Sequence, residues 1–268
     1  MLLREVEYAR PGSVDDALRL LGANDGARAL AGGQTIVNVM KARAASPDVL
    51  VDLNGLEALR SIERVDGGGL RLGAMATYTQ LTLDPAVAEE RPVVAEVASQ
   101  IADVQVRNRG TIGGNVCSND PTNHFPPLMA ALAATMTVVG PGGEREVPAA
   151  EFFLGVYLTA VGPGELLTAI TLPAGGRDGF AAVTLGADGT CIVNAAANLD
   201  GDPRVAIGCV DAVPVLVLPQ GTDDDSVRAA VRDAGLQPPS DVHASAEYRQ
   251  HLAEVLAVRA VRAASERS

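Results

Sequence analysis

Two glycine pairs, Gly32-Gly33 and Gly113-Gly114, constrain this chain more than any other feature, because each stands at the start of a helix-like segment beside polar side chains. Gly32-Gly33-Gln34-Thr35 follows an apolar stretch at residues 27–31 that reads as a strand and precedes residues 36–42, which read as a helix, with a second strand at 49–53. At such a junction the first backbone N–H groups of the helix have no partner within it, and its dipole favours an anion. Adjacent glycines remove the Cβ atoms that would hold a phosphate away from the backbone, and Thr35 can cap the helix or donate a hydroxyl to a phosphate oxygen. Thr111-Ile112-Gly113-Gly114-Asn115 repeats the combination, with hydroxyl and amide side chains. Neither turn has the spacing of a Rossmann fingerprint or of a P-loop. Taken singly, each is explained by a tight reversal of the chain; taken as a pair, they also fit the two arms of one diphosphate clamp, and the residues alone leave both readings open. Arg107 and Arg109 flank the second turn, either offsetting phosphate charge or standing as solvated surface.

Around these turns the pattern is mixed. Ser13, three residues before Asp16, opens an amphipathic helix over residues 13–21. A strand is expected near 70–74, helices at 86–101 and 127–134, a hairpin from 135–139 and 145–147 around Pro141-Gly142-Gly143, and a strand at 166–172. Beyond Pro173, strand-like runs at 180–185, 191–199 and 205–210 are joined by Ala187-Asp188-Gly189 and Asp200-Gly201-Asp202-Pro203. They imply an antiparallel meander, with helices at 225–234 and 244–264 on one face. The expected class is α+β, in units at 1–55, 56–173 and 174–268.

Charge and composition narrow the chemistry. With 33 acidic against 21 basic residues the net charge is −12, without a Lys/Arg block, which argues against nucleic acid or an anionic membrane as partner. No apolar run reaches the roughly 18 residues of a membrane span. Met1-Leu2-Leu3-Arg4-Glu5 lacks a signal-peptide pattern, so a cytoplasmic location is expected. Cys117, Cys191 and Cys209 are too few and scattered for a disulfide framework, a four-cysteine iron–sulfur cluster or a structural zinc site, and are expected as reduced core thiols. His124, His243 and His251 share no metal-ligand spacing. No metal site and no catalytic acid or base is therefore expected, and a borrowed cofactor would carry the chemistry.

The string Leu30-Ala31-Gly32-Gly33-Gln34-Thr35, followed by Met40-Lys41, Val51-Asp52-Leu53 and Gln105-Val106-Arg107-Asn108-Arg109-Gly110-Thr111-Ile112-Gly113-Gly114-Asn115, resembles the FAD-binding, medium subunit of the molybdenum hydroxylases. That family includes the carbon monoxide dehydrogenase flavoprotein and the flavin domain of xanthine dehydrogenase. The resemblance continues through Leu72-Gly73-Ala74, Glu151-Phe152-Phe153, Pro163-Gly164-Glu165-Leu166-Leu167 and His243-Ala244-Ser245-Ala246-Glu247-Tyr248-Arg249, covering nearly the whole chain. It implies a two-subdomain FAD-binding fold of the vanillyl-alcohol-oxidase type followed by a C-terminal antiparallel sheet with helices.

The resemblance further implies that Ala31, Gly32, Gly33, Gln34 and Thr35, with Ile36 and Val37 next in the segment, wrap the FAD diphosphate. Thr111, Gly113, Gly114 and Asn115 would serve the diphosphate and ribityl oxygens, with Ile101 and Leu167 bordering the flavin. Where the family often carries an Asp for the adenosine ribose, this chain has His124, which cannot offer two carboxylate oxygens, so Asp120 or Asn123 is expected to substitute. Nothing in the spacing supports covalent flavin attachment through His124 or Cys117. The implied function is electron transfer: a molybdopterin-binding large subunit hydroxylates a substrate, an iron–sulfur small subunit carries electrons, and FAD on this chain passes them to an acceptor such as NAD or oxygen. One departure stands out. Residues 180–190 hold no basic side chain where relatives place one near the flavin, so an altered reduction potential, or compensation by a partner or a backbone dipole, is expected. Two alternatives follow from that segment and from His124: a self-sufficient FAD-dependent oxidoreductase of the same fold, or a non-catalytic binding or assembly protein.

Overall fold

The computed structural model describes residues 3–186 and 189–267; Ala187 and Asp188 of the expected turn, with Met1, Leu2 and Ser268, lie outside the described residues. The first unit runs β1 (Glu7–Ala9), α1 (Val14–Ala23), β2 (Ala27–Leu30), α2 (Ile36–Lys41) and β3 (Val49–Asp52). Its strands form a parallel sheet in the order β1-β3-β2, as crossover connections through helices require. Ser13 caps α1 by accepting from the Asp16 amide at 3.1 Å, and Ala17 and Leu21 pack into the core with Val49 and Val51.

The second unit comprises β4 (Ile62–Val65), β5 (Gly69–Gly73), α3 (Tyr78–Leu83), α4 (Pro85–Glu90), α5 (Pro92–Ser99), α6 (Val104–Arg107), α7 (Ile112–Ser118) and α8 (Phe125–Ala131), then β6 (Thr135–Gly140), β7 (Gly143–Pro148), α9 (Ala149–Phe152), β8 (Phe153–Gly155), β9 (Leu158–Thr159) and β10 (Leu166–Leu172). The antiparallel sheet has the order β4-β5-β10-β6-β7, so the last strand of the unit sits at the centre and joins two hairpins. The single helix expected over 86–101 is two helices meeting at Arg91. Pro92 has no N–H and disfavours helical geometry in the residue before it, and Arg91 lies at φ −146°, ψ 65°. The Arg91 side chain is buried, donates to the Pro173 carbonyl and pairs with Asp178 at 2.6 Å, fastening this unit to the next.

The third unit is the expected meander, β11 (Asp178–Thr184), β12 (Cys191–Asn198), β13 (Arg204–Gly208) and β14 (Val215–Val217), followed by α10 (Asp224–Asp233) and α11 (Ala246–Ser265). As expected, α10 and α11 cover one face of the sheet; the other is covered by α8 of the second unit, which packs on β12 and β13. All eight residues of β12 are buried. Its Ala195-Ala196-Ala197 run gives apolar surface to both sides, where a sheet with one wet face would alternate with polar residues. No helix of the described residues is long and apolar enough to cross a membrane.

Candidate functional site

Between the first two units lies a cleft of about 650 Å³, within the size range of cofactor sites. The glycine turns form adjoining parts of its wall. A Cβ on Gly32 would stand 2.1 Å from the Arg109 carbonyl oxygen, so the first turn rests on the backbone leading into the second. A Cβ on Gly113 would stand 2.5 Å from the carbonyl oxygen of Ala74. One glycine of each pair is thus there for close backbone packing. The other glycines differ: Gly33 adopts φ +76°, where a Cβ would make only ordinary contacts at 3.5 Å with the Leu30 and Val37 side chains, whereas Gly114 would bring a Cβ to 3.0 Å from Thr111 Oγ1.

The amides of the two turns differ more. Among the described residues, the N–H groups of Gly33, Gln34, Thr35 and Ile36 meet no acceptor, the first bonds of α2 being Val37 to Gly33 at 3.2 Å and Val39 to Thr35 at 3.0 Å. Thr35 makes no side-chain cap. In the second turn the four amides from Ile112 to Asn115 are already taken: Ile112 donates to Ala76, Gly113 to Ala74, Gly114 to Thr111 Oγ1 and Asn115 to the Thr111 carbonyl, at 2.9–3.1 Å. What that turn offers the cleft is side chains. Asn115 donates Nδ2 to the Tyr78 hydroxyl at 3.0 Å, which leaves its Oδ1 buried without a partner. Tyr78 stacks on Phe125 with centroids 5.9 Å apart, and burial pushes its phenol up to about 12, so the ring stays neutral.

A polar network fixes the first turn from behind. Asn54 Nδ2 donates to the Ala31 carbonyl at 2.9 Å and to Asp52 Oδ1 at 2.6 Å, while the Tyr8 hydroxyl donates to Asp52 Oδ2. Burial opposes ionisation of Asp52, but the bonds from Tyr8 and Asn54 together hold its carboxyl below the ordinary value. On the opposite wall, Glu165 accepts from Arg145 at 2.7 Å and from the Gly162 amide at 2.7 Å, and Arg145 lowers its carboxyl. Cys117 also lines the cleft, with its thiol pushed by burial up to about 12, so it presents no thiolate.

Of the residues singled out in the sequence, Ala31 through Ile36, Ile101, Thr111, Gly113, Gly114, Asn115 and Leu167 line the cleft; Val37, Asp120 and His124 do not. Asp120 reaches it only through the Tyr157 hydroxyl at 2.9 Å, Tyr157 being part of the wall. Asn123 is in the wall and donates to the Asn115 carbonyl and Ser118 Oγ, each at 3.0 Å. His124 faces the third unit, its Nδ1 3.1 Å from Asn194 Nδ2 and its ring 5.2 Å from that of Phe180. Arg107 donates to the Ile101 carbonyl at 3.0 Å and to that of Ala102, so it braces the wall. Tyr78 and Asn54 escape the motif reading because their partners lie 37 and 23 residues away. Only Leu53-Asn54-Gly55, a turn signal after a strand, pointed to either.

A turn of open amides beside a buried orphan acceptor, in a cleft of this size, defines a protein that holds a dinucleotide cofactor. Residues 4–175 match the FAD binding domain in molybdopterin dehydrogenase, and the chain belongs to that family of FAD-dependent oxidoreductase subunits. Over its whole length it is 37% identical to 99% of the carbon monoxide dehydrogenase medium chain of Afipia carboxidovorans. It is 33% identical to the nicotine 6-hydroxylase medium subunit of Paenarthrobacter nicotinovorans, with all of both chains covered. Among solved structures, it superposes on a chain of reconstituted CO dehydrogenase from Oligotropha carboxidovorans with a TM-score of 0.93 at 34% identity, again with all of both chains covered.

Proposed function

We propose that this chain is the FAD-binding electron-transfer subunit of a cytoplasmic molybdenum-containing hydroxylase or dehydrogenase. Electrons from a molybdopterin-binding large subunit would arrive through an iron–sulfur small subunit and leave to an acceptor such as NAD or oxygen. The observation that carries this reading is the composition of the cleft wall, with free donors on one glycine turn and a free acceptor on the other.

Bound FAD supplies the redox chemistry at its isoalloxazine ring. The chain's own residues bind, orient and shield it. The open amides of Gly33, Gln34, Thr35 and Ile36, with the Thr35 hydroxyl, donate to the diphosphate. Asn115 Oδ1 takes a donor from the ribityl or flavin portion, which removes the penalty of about 1–3 kcal/mol for an unsatisfied buried acceptor. Ile101 and Leu167 exclude water, and Asn123, with Asp120 acting through Tyr157, serves the ribose. The pairing of Glu165 with Arg145 limits its repulsion of the diphosphate.

Two experiments test this. In Gly33→Val with Gly114→Val, FAD content should collapse; unchanged content overturns the placement of the diphosphate. The chain, tagged at its native level and purified gently from its host, should bring two further polypeptides and show flavin bands on broad iron–sulfur absorption. Flavin bands from a lone chain would instead favour a self-sufficient flavoenzyme.

A further inference from the structure

Behind the cleft is a second polar cluster that cofactor binding does not use. The residue after β13 and the first residue of β12 bring Cys209 and Cys191 together, with both Sγ atoms against Asn194 Nδ2 at 3.8 and 3.4 Å. Cys191 Sγ also reaches the Val183 carbonyl at 3.8 Å. Asn194 Nδ2 also faces the Asn123 carbonyl at 3.2 Å and His124 Nδ1 at 3.1 Å, so its two hydrogens confront more acceptors than they can serve.

The surroundings are unusual in three further ways. Of the buried side-chain polar atoms without a partner among the described residues, Asn194 Oδ1 and Arg249 Nε are both here, Arg249 donating to the carbonyls of Ile192 and Cys209 at 2.5 and 3.5 Å. Cys209 adopts φ +67°, a conformation non-glycine residues seldom take and one that clusters at functional sites. Although both cysteines are almost fully buried, Cys209 borders a crevice of about 10 Å³ shared with Asp120 and Asn123, room for one water-sized molecule.

We propose that Cys191 and Cys209 are a redox-active dithiol, which a peroxide-class oxidant converts to an intramolecular disulfide. The hydrogen bond from Cys209, with those from His124 and Asn194, outweighs burial and draws the Cys191 thiol down to about 6, so a thiolate is present near neutral pH, while Cys209 keeps its proton. The Cys191 sulfur attacks one peroxide oxygen; an S–O bond forms, the O–O bond breaks, and the departing hydroxide takes up a proton to leave as water. Cys209 then attacks the sulfenic sulfur; the S–S bond forms, the S–O bond breaks, and the hydroxyl leaves with the Cys209 proton as a second water. The two thiols lose two electrons and the peroxide gains them. Asn123, between Asn194 and the cofactor cleft, makes this site the cleft's immediate neighbour.

The test exposes the folded holoprotein to about one equivalent of hydrogen peroxide, alkylates it under denaturing conditions and maps its peptides. Alkylatable thiols should fall from three to one, with Cys191 and Cys209 in one cross-linked peptide, Cys117 still alkylated, and all three thiols restored by dithiothreitol. In Cys209→Ser, dimedone should label Cys191 as the trapped sulfenic acid. Three alkylatable thiols after peroxide, sulfinic or sulfonic acids without a cross-link, or a cross-link formed only in denaturant would each overturn the proposal. The wild-type result decides the matter even if the variant fails to fold.

Discussion

The two glycine turns look alike in sequence and are built on different principles. In the first, Gly33 at φ +76° turns the chain so that four successive amides stay open, and the Asp52–Asn54 network holds that shape from behind. In the second, the amides are consumed by Ala74, Ala76 and Thr111, and the turn is a rigid shelf that presents Asn115. A repeated motif therefore need not be a repeated function: one turn gives backbone donors to the cleft and the other gives a side-chain acceptor. The second glycine pair serves the fold at least as much as the cofactor.

The largest effect is expected where a glycine meets backbone. Gly113→Ala forces a methyl against the Ala74 carbonyl, and Gly32→Ala does the same at the Arg109 carbonyl; neither neighbour is a side-chain tip that can swing away. Overpacking costs typically 1–3 kcal/mol, and these contacts should lie at or above the upper end. Both variants should yield little soluble protein, and what folds should melt at least about 6 °C lower, taking about 2–4 °C per kcal/mol for a chain of this size. Normal melting of Gly113→Ala would remove the claim that the shelf is packed solid.

Next comes Tyr78→Phe, which deletes the acceptor of Asn115 Nδ2 and leaves a second unpaired polar atom on the same amide. A loss of about 1–3 kcal/mol is expected, from the penalty for an unsatisfied buried donor. FAD retention should weaken too, because the amide is then free to rotate. Asn115→Leu sharpens the test: it removes both polar ends, so its stability should exceed that of Tyr78→Phe while its FAD affinity falls below it. The two rankings, one by thermal melting and one by flavin content, should be opposite.

Gly33→Ala is milder for the fold and specific for the site. Nothing lies within 3.4 Å of the added methyl, so the cost is the left-handed backbone alone, about 1–2 kcal/mol. Relief of that strain would rotate the open amides, so flavin content should fall several-fold at a stability loss smaller than that of Gly113→Ala.

How much of this was legible in the sequence divides along the same line. The glycine pairs, the cap at Ser13 and the meander after Pro173 follow from local chemistry that a short window contains, whereas the cap expected at Thr35 does not form. What a window cannot contain is pairing across distance. Nothing near Gly113 or Gly114 announces that their amides are spent on Ala74 and Thr111, one of them 39 residues upstream, nor that Asn115 is held by Tyr78. The same holds for His124: counting along the chain gives it the family's ribose position, while its ring packs toward the third unit, against Asn194. The split of residues 86–101 was available locally, since Pro92 lies inside the run, and helical periodicity on both sides hid it.

The first turn should also be the acid-sensitive one. Asp52 titrates below its ordinary value in the folded chain, so the stability it contributes is present in full above the unfolded carboxylate pKa and is lost as pH falls through the lower folded value. No carboxylate takes part in the backbone bonds that close the second turn. In melting curves taken from neutral pH downward, Asp52→Asn should show a shallower acid limb than the wild type. An unchanged limb would mean that the network behind Ala31 does not stiffen the turn.

The smallest effect is expected at Gly114, and it separates the two turns most cleanly. Its methyl would meet only Thr111 Oγ1 at 3.0 Å and Ala31 at 3.8 Å, in a helical conformation where alanine is favoured over glycine by roughly 0.5–1 kcal/mol. The tight oxygen contact offsets part of that gain, so Gly114→Ala should change stability by less than about 0.5 kcal/mol. Because the Gly114 amide already donates to Thr111 and gives nothing to the cleft, flavin content should stay near wild type, in contrast to Gly33→Ala. If Gly114→Ala instead released FAD as fully as Gly33→Ala, the second turn would be approaching the diphosphate with its own backbone, and the Thr111–Gly114 bond would have to open when the cofactor binds.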